Sequence, residues 1–148
     1  MKDHRFILAS DHAAIEYKKA LKARLEAEGA MAVDINENAE TTGNYVLWAG
    51  KAVEAYFEMQ DGMTNLGILI CGTGMGMCVA ANRHKGIYAG ILYDDFAAEY
   101  AKRHLNLNFL VFGARTMTLE DAVRRIHIFC QAGYEGGKYA ERNKYLDV

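Results

Sequence analysis

Cys71 is followed by Gly72, Thr73, Gly74, Met75 and Gly76, and here the 148-residue chain concentrates groups able to do chemistry. A free thiol ionises near a pH of about 8.5, and a helix N-terminus beside it stabilises the thiolate, so a useful fraction can be anionic at neutral pH. Gly72, Gly74 and Gly76 let the backbone turn sharply and come close to a ligand, and their N–H groups can form an anion nest. Thr73 adds a hydroxyl to the same region. Further polar groups able to act stand at Asp11-His12, His104 and Arg115. The glycine run by itself identifies nothing: GTGMG has neither the G-x-G-x-x-G spacing of a dinucleotide site nor the Lys-Ser/Thr ending of a P-loop.

These residues depend on the elements that carry them. Leu66, Ile68, Leu69 and Ile70 form an apolar, β-branched run that reads as a strand buried on both faces of a parallel sheet, with a helix starting after the glycines over Met75 to Ala81. Cys71 then sits at the carboxyl end of a central strand, where open α/β sheets bind ligands. In chain order, Arg5 to Ser10 is a first strand ending at Asp11-His12. A helix follows with Ala14, Tyr17, Leu21 and Leu25 inward and Gly29 as its C-cap. Ala30 to Ile35 is a second strand, residues 36–43 a polar loop, and Tyr45 to Met59 a helix capped by Asn44 with Leu47, Val53, Tyr56 and Phe57 inside. Gly86 to Leu92 is a fourth strand. Asp94 or Asp95 caps the helix holding Phe96, Ala97, Tyr100 and Ala101, and Asn108 to Phe112 is a fifth strand. Thr118 with Asp121 predicts a capping box on a last helix that Gly133 closes. Five strands alternating with helices predict a single α/β domain over 1–148, a three-layer αβα sandwich on a Rossmann-like, five-stranded parallel sheet. The polar stretch 134–148 is expected to leave the core and pack on a second subunit.

On this layout Asp11-His12, Cys71 to Thr73, His104 and Arg115 are expected on one rim of the sheet, where one pocket can collect them. Each alone has an ordinary explanation, as a cap, a buried thiol or a surface charge. Their coincidence is what points to a site. Cys78 and Cys130 read as packing residues, and three cysteines without metal or redox spacing give no disulfide framework.

Composition excludes several classes of function. Lys plus Arg number 17 against 19 for Asp plus Glu, which gives no support to nucleic acid or an acidic membrane as a partner. No apolar run approaches the ~20 residues of a membrane span, and MKDHRFILASDH lacks a signal-peptide pattern, so a cytoplasmic protein is expected.

Several stretches together carry a resemblance to a family. ASDHAA at 9–14, GILICGTGMGMCVAAN at 67–82, RH at 103–104, FGART at 112–116 and YEGGK at 134–138 resemble the ribose-5-phosphate isomerase B / galactose-6-phosphate isomerase family, nearly end to end. The resemblance implies an aldose–ketose isomerase of a phosphorylated sugar, without metal or nucleotide cofactor, acting as a homodimer or homotetramer with sites at the subunit interface. Such a reaction moves a proton between C1 and C2 through an enediolate, and needs a base near neutral pH and donors for the oxyanion. By resemblance Cys71 is that base and Thr73 bonds the same region, with the amides of Gly72 to Gly76 holding the enediolate. His104 opens the sugar ring, and Asp11 orients a hydroxyl or assists the base. His12, Arg115, Lys138 and Arg142 match phosphate-binding positions, and Tyr45 a residue lining the pocket.

The chain departs from the family in its substrate shell. It has Asn44-Tyr45-Val46 where the family reads Asp-Tyr-Pro, and Tyr88 where it reads arginine. Leu105 stands where the ribose enzymes have asparagine, Lys138 stands for arginine, and Tyr139 for histidine. Lysine for arginine loses the bidentate fork to a phosphate. Ribose 5-phosphate is the default substrate, with a tetrulose phosphate or galactose 6-phosphate as alternatives. A non-catalytic phosphosugar-binding subunit and a nucleotide- or flavin-binding module are the readings from other classes.

Overall fold

Three apolar runs build the centre of the sheet, as their sequences require of strands covered on both faces. The computed structural model describes residues 1–37 and 44–147, so most of the loop expected over 36–43 lies outside the described residues. The strands are β1 (His4–Ser10), β2 (Met31–Asp34), β3 (Thr64–Cys71), β4 (Ala89–Ile91) and β5 (Phe109–Gly113). They form one parallel sheet in the order β2-β1-β3-β5-β4. Ser10 pairs with Ile70, and Cys71 with Gly113, so the carboxyl ends of the three central strands are level. The chain winds from β1 first to one side and then to the other. The crevice between the ends of β1 and β3 is therefore the topological switch point, where ligands of open sheets bind.

Alternation along the strands sorts the core into two layers. Phe6, Leu8, Ile68, Ile70, Leu110 and Phe112 pack with residues of α1 (Ile15–Ala27), α4 (Asp95–Tyr100) and α5 (Leu119–Gln131). Ile7, Ala9, Leu69, Cys71, Phe109 and Val111 pack with residues of α2 (Tyr45–Glu58) and α3 (Met75–Asn82). Gly67 sits where β3 meets the Phe109 ring: an added Cβ would lie 2.3 Å from ring carbons, so no larger residue fits without displacing the phenyl.

Local chemistry at the element ends follows the sequence closely. Asn44 accepts the Leu47 N–H, Asp94 rather than Asp95 accepts the Ala97 N–H, and both halves of the Thr118–Asp121 capping box are present. Two inward assignments on α2 are corrected: Leu47 is 46% and Phe57 48% exposed. The buried stripe is Ala49, Ala52, Val53 and Ala55, small residues that let α2 lie close to the sheet and α3, and this stripe leaves both larger side chains outside. Ala14, just before α1, and Lys18, Leu21 and Leu25 within it are buried, while Tyr17 packs half-buried against the same core layer.

The greatest local departure is at the end of α4. The helix widens into a π-helical turn, Ala101–Leu105, closed by Asn106 in the left-handed region at φ 48°. A short helix, α6 (Lys138–Asn143), packs against this turn. The tail is tied to its own chain: Glu135 donates its N–H to the Arg103 carbonyl at 3.0 Å, and the Asn143 amide donates to the His104 carbonyl at 3.3 Å. Asp147 accepts the Gly86 N–H at 2.9 Å and the Tyr88 hydroxyl.

Candidate active site

β3 delivers Cys71 to the rim, where its side chain faces the α2–α3 layer with 6% exposure. The next residues reverse direction to enter α3. Gly74 makes this possible at φ 87°, and a Cβ there would also stand 3.2 Å from the Phe112 carbonyl oxygen. L-residues with side chains disfavour that backbone region. The turn brings the Gly74 N–H to within 3.2 Å of Cys71 Sγ, to which it donates. Thr73 Oγ1 accepts the Met75 N–H at 3.2 Å, a local turn just before α3, whose N-cap is Gly74. The exposed Thr73 hydroxyl and the Gly74 N–H thus lie in the same turn as the sulfur.

The neighbouring strand ends supply the rest of this half. Asp11 donates its N–H to the Ile70 carbonyl, and its carboxylate accepts the Ala13 N–H at 3.0 Å, which winds residues 12–14 into a short 3₁₀ turn. His12 opens that turn and is exposed. From the loop after β5, the backbone N–H groups of Ala114 and Arg115 donate to the carbonyls of Cys71 and Gly72 at 2.8 and 2.9 Å. The Arg115 side chain passes within 3.5 Å of the Cβ position of Gly72. Tyr45, at the start of α2, lays its ring 3.1 Å from the Cβ position of Gly76. Asp11, His12, Tyr45, Cys71 to Gly76 and Arg115 therefore share one rim.

His104 does not share it, which corrects its place on the single expected rim, and Lys138 and Arg142 stand with His104. In a parallel sheet the segment entering a strand lies at the amino edge. The span of β5 from Phe109 to Gly113 separates the two rims by about 13 Å at ~3.3 Å per residue. At that far edge His104 is stacked on Tyr139, centroids 3.9 Å apart and planes within 10°, with the edge of Tyr100 at 4.8 Å. Its Nε2 lies 3.4 Å from Glu135, which also holds Arg103 Nε at 2.9 Å. Lys138 and Arg142 lie 5.2 and 5.4 Å from the Tyr139 ring centroid. Phe96, Tyr100, His104, Leu105, Tyr139 and Arg142 all line one open cavity of about 540 Å³ beside the edge strand β4, and Cys71 does not contribute to it.

The other thiols are poor candidates for chemistry. Burial pushes Cys130 up to about 11, and burial followed by the neighbouring Cys71 raises Cys78. Among the described residues no group of three or more His, Cys, Asp or Glu is placed to hold a metal ion. No helix among them is long and apolar enough to cross a membrane. Sequence reasoning missed Lys18 and Asn36, which lie buried against the end of β1, although a lysine on the inward period of α1 was a legible signal. It also missed Glu135, whose contact with His104 joins segments far apart in the chain.

A family described as Ribose/Galactose Isomerase matches residues 6–146. The "Probable ribose-5-phosphate isomerase B" of Mycoplasma pneumoniae is 33% identical over 141 residues, covering 95% of this chain and 91% of the relative. The "D-erythrulose-4-phosphate isomerase" of Pectobacterium atrosepticum is 32% identical over 135 residues, covering 91% and 88%. The crystal structure of ribose-5-phosphate isomerase B from Mycoplasma genitalium with bound ribulose-5-phosphate superposes with a TM-score of 0.87 at 30% identity, covering 97% and 94%. On this match of sequence and fold, the chain belongs to the ribose/galactose isomerase family and is an isomerase of sugar phosphates.

Proposed function

We propose that the chain interconverts ribose 5-phosphate and ribulose 5-phosphate, with Cys71 as the base. The thiolate takes the C2 proton of the open-chain aldose and negative charge moves onto the C1 oxygen. The C2 hydroxyl proton passes to that oxygen, shifting the enediolate charge to the C2 oxygen, and the thiol returns a proton to C1 as the C2 carbonyl forms, giving the ketose and regenerating the thiolate. Backbone N–H groups from Gly72 to Gly76 stabilise the enediolate between the two transfers. Asp11 orients a substrate hydroxyl. His12 and Arg115 contact the phosphate, and Tyr45 closes the side of the pocket nearest Gly76.

His104 opens the sugar ring by moving a proton off the ring-forming hydroxyl, and Lys138 and Arg142 add positive charge for the phosphate. Since these three stand at the opposite rim of their own chain, a second copy must bring them over Cys71 in a homodimer, or in a tetramer built of such pairs. The cavity beside β4, with His104 and Arg142 in its wall, supports that reading. The observation that carries the proposal is the sulfur at the switch point, 3.2 Å from the Gly74 N–H, at the glycine turn that leads into α3.

A tetrulose phosphate is the second reading, favoured by the relative that acts on D-erythrulose 4-phosphate and by a substrate shell that includes Tyr139 and Leu105. A panel of tetrose, pentose and hexose phosphates in deuterium oxide tests both. Turnover of ribose 5-phosphate with solvent deuterium entering C1 or C2 is expected. Faster turnover of a tetrulose phosphate selects the second reading, and no turnover of any phosphosugar overturns both.

A further inference from the structure

Beside the rim lies a charged pair whose side chains are almost wholly removed from water. Lys18 Nζ stands 2.7 Å from Asp34 Oδ1, with side-chain exposures of 0% and 1%. Lys18 also donates to Asn36 Oδ1 at 2.5 Å, and the Asn36 N–H donates to Asp34 Oδ1 at 3.1 Å. Such a pair is weak evidence for stability, because desolvation offsets most of its Coulomb attraction and apolar residues of similar volume often serve as well. It fixes the orientation of what it touches more effectively than it stabilises the fold. None of the three residues belongs to the proposed proton-transfer or phosphate machinery.

What it touches is the last residue of β1. β2 ends at Asp34, opposite Leu8, and the Ile35 N–H still donates to the Leu8 carbonyl at 2.8 Å. Beyond that point β2 has no backbone left to pair with Ser10. The Asn36 side chain takes over: Oδ1 accepts the Ser10 N–H at 3.3 Å, and Nδ2 donates to the Ser10 carbonyl at 2.6 Å. An ammonium can only donate, so Lys18 compels Oδ1 to face it and Nδ2 to face the carbonyl. The flipped amide would oppose donor to donor at Nζ. On the other edge, the N–H of Asp11 is held by Ile70 of β3. The peptide leading into Asp11 is thus gripped from both sides, one grip being a side chain oriented by a buried charge.

We infer that Lys18, Asp34 and Asn36 form a positioning device that sets where Asp11 and His12 project over Cys71, with Asn36 as a surrogate strand residue and Lys18 fixing its amide. The device rests on the roles given above to Asp11 and His12, and is tested so that the two fail separately. Asn36→Leu removes both bonds to Ser10 at similar volume. Lys18→Met combined with Asp34→Leu removes both charges together, leaving no buried ion alone. Both should fold, as judged by circular dichroism and thermal unfolding. Each should lose about 10- to 100-fold in kcat/KM on the phosphosugar the native enzyme turns over fastest, with higher KM from displaced His12 and lower kcat from displaced Asp11. Asn36→Asp keeps the acceptor and loses the donor, and should fall between these and the native enzyme. It remains available should the other variants not fold. Amide hydrogen exchange at Ser10 to Ala13 supplies a readout independent of any substrate: it should be at least about tenfold faster in Asn36→Leu and in the charge-free pair. Exchange at native rates, or kcat/KM within about twofold of native in folded variants, overturns the device. A native enzyme inert on every phosphosugar overturns the functional reading alone, and the exchange measurement then decides this one.

Discussion

Cys71 combines 6% exposure with a backbone donor 3.2 Å from its sulfur, a setting that keeps bulk water from the thiol while leaving one side toward the rim. Removing the sulfur leaves a small apolar residue in an apolar layer, so Cys71→Ala should fold normally. Its turnover should drop by about 10²- to 10⁴-fold, the usual worth of a positioned acid or base, when measured as solvent deuterium incorporation. Near-native turnover would reassign the base. His104 allows a sharper contrast, because a tetrulose phosphate cannot close into a comparable ring. His104→Ala should slow a cyclic pentose phosphate by about 10²-fold and an acyclic tetrulose phosphate by far less. Parallel losses on the two substrates would count against ring opening as its task.

At the scale of elements, the end of β5 and the start of α5 show how a local sequence rule becomes a stability contribution. Thr118 Oγ1 accepts the Asp121 N–H at 3.1 Å, and Asp121 Oδ2 accepts the Thr118 N–H at 3.0 Å. Thr118→Ala should cost about 1 kcal/mol, equivalent to a melting temperature lower by roughly 2–4 °C for a domain of this size. The same box gives a pH signature. The Thr118 N–H, followed by the Arg124 guanidinium, holds the Asp121 carboxyl down to about 2 from its ordinary value of 3.8. A carboxyl depressed on folding stabilises the native state above its unfolded pKa, and that contribution is lost as pH falls from 3.8 towards 2. Asp121→Asn should therefore flatten the acid limb of stability in that window, measured by urea unfolding at a series of pH values, and leave the slope near neutrality unchanged. An acid limb as steep as the native one would show that the box is not what titrates there.

For the whole molecule, the division of the candidate residues between two rims yields a complementation test. If sites are shared across a two-fold axis, a pair formed from Cys71→Ala and His104→Ala chains has one doubly damaged site and one intact site. Random reassortment of equal amounts should then recover about a quarter of native activity from two inactive parents, since half the pairs are mixed and half their sites are whole. No recovery after verified subunit exchange would place both residues in sites belonging to one chain. What was legible beforehand tracks the range of the interactions involved. The strands at Arg5 to Ser10 and Leu66 to Cys71, the caps at Asn44, Asp94 and Thr118, and the glycine turn follow from neighbours a few residues apart. Leu47 and Phe57 stay outside because α2 packs on the sheet and α3 through its own small residues Ala49, Ala52, Val53 and Ala55, a choice that helical period alone does not reveal.

Sequence alone determined that a thiol ends a buried strand at the mouth of a glycine turn, and that the alternating elements form a parallel sheet. Both follow from hydrophobic period and backbone sterics, which act locally. Tertiary structure alone decided that His104 faces away from Cys71 within the chain, that α6 folds back to stack Tyr139 on it, and that a lysine within α1 is neutralised by Asp34 and steers Asn36 onto β1. These are contacts between segments brought together by winding of the sheet. Their energies depend on geometry that exists only after the chain has closed around its core.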